Sequence, residues 1–217
     1  NAGTNGVSGM VSISTGTTSG GNSGALHLET GVASNGRSGS ITLSVGDGSS
    51  GTGGEITLSA GDTYSSDGAS GGQITITSGK SALTSSGDIN IATAAGGTST
   101  GGTTGLISMS SGASTKGNSG ALLIGSGTAS GGRSGAIKMT VGDGNSGSGG
   151  EILISAGKTS TTDGETGGKV TVISGYSEET SSGEIEVTTP NAGNGGVSGL
   201  VSITTGTSSS GVTGLIR

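Results

Sequence analysis

One pattern recurs from near the first residue to the last: Gly-x-Φ-x-Φ-x-x-Gly, where Φ is an aliphatic side chain. Its leading glycines are Gly9, Gly24, Gly39, Gly54, Gly72, Gly87, Gly105, Gly120, Gly135, Gly150, Gly168, Gly183, Gly199 and Gly214. Their spacings are 15, 15, 15, 18, 15 and 18, then 15, 15, 15, 18, 15 and 16, then 15. The first Φ, from Val11 and Leu26 through to Ile216, is aliphatic all fourteen times. The second, from Ile13 to Ile203, is Ile, Leu, Val or Met all thirteen times. Alternation with period two is the mark of a strand with one covered face. The second glycine, present in eleven of thirteen units with Ala94 and Pro190 as exceptions, is expected to turn the chain tightly through positive φ.

Composition alone argues the other way. Of 217 residues, 52 are Gly, 41 Ser and 32 Thr, and such chains are usually flexible linkers. A linker has no reason to space Ile, Leu and Val regularly, so the periodicity takes precedence. The single Pro190 and the lack of a three-residue glycine beat exclude collagen. With no Phe or Trp and only 27% hydrophobic residues, a conventional globular core is not expected either.

A longer period overlies the short one. Residues 9–93 align without gaps on 105–189 at an offset of 96, with 46 of 85 positions identical. Residues 1–8 match 191–198 at six of eight positions, so a third copy begins where the second ends. The expected organisation is one continuous solenoid over 1–217, with blocks 9–104 and 105–198 and the start of a third at 199–217. The chain reads as a segment of a longer array.

One such unit cannot bury its aliphatics alone, whereas stacked units can. The expected fold is therefore all-β: a single β-solenoid, parallel and β-helix-like. It would have about 13 coils stacked about 4.8 Å apart, with the two Φ columns inside. The extra residues of the 18-residue units, 62–71 and 158–167, would bulge from one edge. An antiparallel meander or β-sandwich is the second choice, disfavoured because every unit repeats the same face.

Candidate chemistry is sparse, and no catalytic, cofactor-binding or metal-site residue is assigned. His27 is the sole histidine, its counterpart is Leu123, and it alternates outward between Leu26 and Leu28. Without a second His neither a Ser-His-Asp system nor an ordinary zinc site can form, and with no Cys there is no thiol chemistry. Gly46-Asp47-Gly48 and Gly142-Asp143-Gly144 are similar to calcium turns but lack the nine-residue beat of that motif. Stacked coils would set Asp47 beside Asp62, yet the second copy has Asp143 and Lys158, which removes the pair. Glu55, Asp88, Glu151 and Glu184 stand outward next to leading glycines, Asp67 and Asp163 in the bulges, and Arg37 and Arg133 at corners. They are dispersed, whereas glycosidase chemistry needs two carboxylates about 5–9 Å apart. No phosphate loop is expected: Gly79-Lys80-Ser81 and Gly157-Lys158-Thr159 have Ile74 and Ile152 where the motif needs its first glycine. No Asn begins an Asn-x-Ser/Thr acceptor, so N-glycosylation is not expected.

The net charge of −6 and the near-absence of aromatics oppose nucleic-acid binding. No run of 18 apolar residues is present, so no membrane span is expected. No signal segment opens the chain, which would place any targeting signal outside it.

The segments SGSITLSVGDGSSGTGGEITLSAG (38–61) and SGAIKMTVGDGNSGSGGEILISAG (134–157) resemble repetitive Gly/Ser/Thr-rich extracellular proteins of stramenopile, diatom-type algae. The resemblance extends over essentially the whole chain. It implies a secreted, long, non-catalytic protein of a cell surface, wall or flagellar appendage. The expectation is thus a structural, non-enzymatic repeat module of an extracellular filament or surface fibre, without cofactor. It would self-associate end to end or with identical repeats; any polysaccharide or mineral partner is not readable. The alternative is an ice-binding or adhesin-like rod. Thr42/Ser44, Thr57/Ser59 and Thr75/Thr77 would form an outward hydroxyl array, which Lys138, Leu153 and Ile173 break in the second block.

Overall fold

The computed structural model describes residues 6–99, 101–160 and 164–217. Two units divide the chain, Asn1–Met109 and Ser110–Arg217. Among the described residues there is no helix and no β-strand; the backbone runs through turns, bends and irregular segments. The expectation of an all-β solenoid is therefore overturned, and the antiparallel sandwich falls with it.

The physical reason lies in where each leading glycine sits. A solenoid sets it beside the leading glycine of the coil before, so that the aliphatics stack. Here each leading glycine from Gly24 to Gly214 lies against the residue six positions after the leading glycine of the preceding segment, and among the described residues no backbone hydrogen bond joins equivalent positions of successive segments. A Cβ added at Gly24 would meet the Thr15 side chain at 3.7 Å, at Gly39 that of Thr30 at 3.3 Å, and at Gly135 that of Ser126 at 3.4 Å. The same approach closes all thirteen loops. Each loop is thus a local closure whose ends meet, like a compact surface loop. The extra residues of the long units fall inside the loops: Ala60 meets Gly72 and Ala156 meets Gly168, twelve residues apart, against nine for Thr15 and Gly24.

Residue size explains the closures. The sixth position holds only Ser, Thr, Ala or Val in every unit, and its partner is always glycine. Small against absent side chain lets the two backbone strands of the stem come close. Hydrogen bonds reinforce several stems: Gly72 N–H donates to Gly61 O at 2.9 Å, Gly87 to Gly79 at 3.0 Å, Gly168 to Gly157 at 2.8 Å and Gly183 to Gly175 at 2.8 Å. The hydroxyls of Thr30 and Thr189 donate to the carbonyls of Gly39 and Gly199, at 3.3 and 3.1 Å. Within the loops, Ser81, Ser114, Ser177 and Ser208 accept the amide three residues on, at 2.8–3.0 Å. These are side-chain-capped turns.

The expected internal aliphatic columns are absent. Among the described residues no hydrophobic side chain is buried. Ile74 is 47% exposed and Ile76 66%. The alternation survives only as a gradient: Leu122 and Ile124 are 57% and 64% exposed, and Leu123 between them 91%.

The second glycines do not make the turns. Positive φ occurs inside the loops, at Gly51 (78°) and its equivalent Gly147 (76°) among others, and at none of the second glycines. That pair belongs to a wider recurrence: the half-buried Ala60, Ser78 and Ser81 reappear as Ala156, Ser174 and Ser177, each 96 residues on.

Candidate functional site

A site needs chemical groups brought together and held. The local closures fix backbone, and they place the reactive side chains on exposed turns. Among the described residues there is no cavity, and no group of three or more His, Cys, Asp or Glu is placed to hold a metal.

His27 Nε2 lies 3.0 Å from Glu29 Oε2, the one contact between a basic and an acidic side chain seen among the described residues. Both side chains are more than two-thirds exposed. The equivalent positions in the second block are Leu123 and Gly125, so the pair has no counterpart there. Thr57 donates its hydroxyl to Glu55 Oε1 at 2.6 Å. Glu151 repeats the carboxylate, but Leu153 replaces the threonine. That hydroxyl, one of those expected to form an outward array, is thereby turned onto a neighbour on its own segment.

Asp47 and Asp143 lie on exposed chain just before the turns containing Gly51 and Gly147. The juxtaposition of Asp47 with Asp62 depended on stacked coils and has no basis once the stacking is gone. Arg37, Asp88, Arg133 and Glu184 are all exposed. Asp67 N–H is held by the Ser65 hydroxyl at 3.2 Å, in the longer loop closed by Ala60 and Gly72. Asp163 lies outside the described residues.

The residues that do recur in place are structural. Ser81 Oγ pairs with Thr84 Oγ1 at 2.9 Å, and Ser177 with Thr180 at 2.9 Å. Val45 closes on Gly54 as Val141 closes on Gly150. The sixth-position row is the structural pattern that the Gly-x-Φ-x-Φ motif left out. Its signal was present in the sequence as an unbroken run of small or β-branched residues two places beyond the second Φ.

Among the described residues no helix is long and apolar enough to cross a membrane. No protein-family model, curated protein or solved structure matches the chain.

Proposed function

We propose that the chain is a non-catalytic structural repeat module of an extracellular filament, surface fibre, wall or flagellar appendage, and that it associates with copies of its own repeat. One observation carries the reading. Backbone closure recurs thirteen times, while His27 gives way to Leu123, Asp62 to Lys158 and Thr57 to Leu153, and the charged groups that do recur, Arg37 with Arg133, Asp47 with Asp143 and Glu55 with Glu151, are all exposed. A catalytic or ligand site needs its reactive groups, whereas a mechanical repeat needs only its shape.

Localisation tests it. Antibody raised against the chain and applied to intact source cells should decorate a surface fibre or wall layer at regular intervals. Label that appears only after the cells are made permeable, and is diffuse within them, would remove the proposal.

A further inference from the structure

We infer that the exposed Φ face is covered by the same face of a second copy of this chain, docked parallel and in register. The inference rests on the self-associating reading above and names the surface and alignment it would use.

Three observations lead to it. The first is area. A compact monomer of 19.9 kDa exposes about 8,700 Å² and its unfolded chain about 28,900 Å². This chain exposes 21456 Å². The excess of about 12,800 Å² over a compact monomer exceeds several-fold the roughly 1,600 Å² of a standard stable interface. The exposed side chains include the aliphatics of both Φ positions, and exposed apolar surface drives association.

The second is charge. Positions two, four and six after each leading glycine hold no charged residue in any segment. The odd positions carry Glu55, Asp88, Lys138, Glu151 and Glu184 among others. Two copies meeting on the even positions bury no ion and leave the net −6 of each chain facing water. Contact on the odd positions would set like charges opposite one another, which is unfavourable.

The third is rhythm. The segments follow a beat of 15, 15, 15, 18, 15 and 18 residues. Only a partner with the same beat can meet consecutive segments without a frame slip, and a second copy has it by construction. Parallel, in-register alignment matches all thirteen segments; an antiparallel one centred on the fifth segment also sets long against long, but over only nine.

The chain contains no cysteine, so introduced thiols report the contact directly. Full-length Ile74→Cys and, separately, Ile89→Cys should form disulfide-linked dimers under mild oxidation. Gln73→Cys, one residue out of phase, should not. Sedimentation of the unmodified chain should show concentration-dependent association, weakened ~10-fold or more by combined Ile74→Ser and Ile89→Ser, and unchanged within about twofold by Leu123→Thr and Leu153→Thr. Association with linkage through Gln73→Cys rather than Ile74→Cys overturns the face while leaving self-association standing. Linkage only between Ile74→Cys in one copy and Val170→Cys in another overturns the register. A chain that stays monomeric overturns both the inference and the self-association on which it rests.

Discussion

Val45 Cγ1 lies 2.5 Å from the point a Cβ on Gly54 would occupy, and 96 residues later Val141 stands 2.6 Å from the same point on Gly150. Two stems in different blocks thus use the largest side chain the sixth position accepts, against a residue that has none. The fit is closer here than where serine or alanine closes the loop. Among the thirteen stems, these are the two where an added methyl group would meet its neighbour most closely.

Gly54→Ala should therefore open its loop. Overpacking of this kind costs about 1–3 kcal/mol, and the expected result is faster proteolysis within 46–53. Adding Val45→Ala to Gly54→Ala should restore most of the protection. Equal cleavage rates in the parent chain and in Gly54→Ala would show that the contact contributes nothing.

The stem amides make a separate prediction. Gly72, Gly87, Gly168 and Gly183 donate to stem carbonyls, and a net hydrogen bond contributes about 0.5–1.5 kcal/mol. Their amides should exchange up to ~10-fold more slowly than those of Gly24 and Gly120. Exchange rates resolved by NMR check this residue by residue.

Ser81 and Ser177 each hold the turn three residues ahead. Ser177→Ala removes both the amide acceptor and the hydroxyl contact with Thr180. Loss of a capping hydroxyl of this type costs ~1 kcal/mol. The expected readout is averaging of the Thr180 amide shift toward its unfolded value, with Ser81→Ala doing the same at Thr84. The turns closed by other residues should be untouched.

Heating a dilute sample should give no sharp calorimetric peak. The cooperative enthalpy of unfolding comes from exposing a buried interior, and no hydrophobic side chain is buried among the described residues. A peak that emerges and sharpens as the protein is concentrated is expected, because association stabilises by mass action. A concentration-independent peak in the dilute monomer would show that a single chain has an interior of its own.

His27→Leu, which installs the residue of the second block, should leave all these measurements unchanged. The pair with Glu29 is exposed on both sides, and such pairs contribute little.

How far the sequence could be read follows from what each signal encodes. The offset of 96 was legible because Ser81 and Ser177, or Val45 and Val141, are the same residue in the same frame, and the backbone treats them alike. The phase of alternation was legible too: Leu123 is more exposed than either neighbour. What covers Leu122 and Ile124 was not, because period two states which side chains share a face and is silent about the surface opposite. Stacking was inferred from the leading glycines and the Φ pairs alone. The decisive contact uses Thr15 and Gly24, outside that pair. The turning glycines were misplaced for a related reason. Gly46 and Gly51 both fit a tight turn by type, and the positive φ falls at Gly51, within the loop that Val45 and Gly54 close.

Because each closure involves only a residue and a glycine nine to twelve places later, no loop depends on a distant one. Copying or deleting one whole unit during recombination of the gene would leave the neighbouring closures intact. Arrays built this way can differ in length between individuals or strains at little cost to any remaining loop, and the longer loop closed by Ala60 and Gly72 marks where a foreign peptide could be spliced in for display.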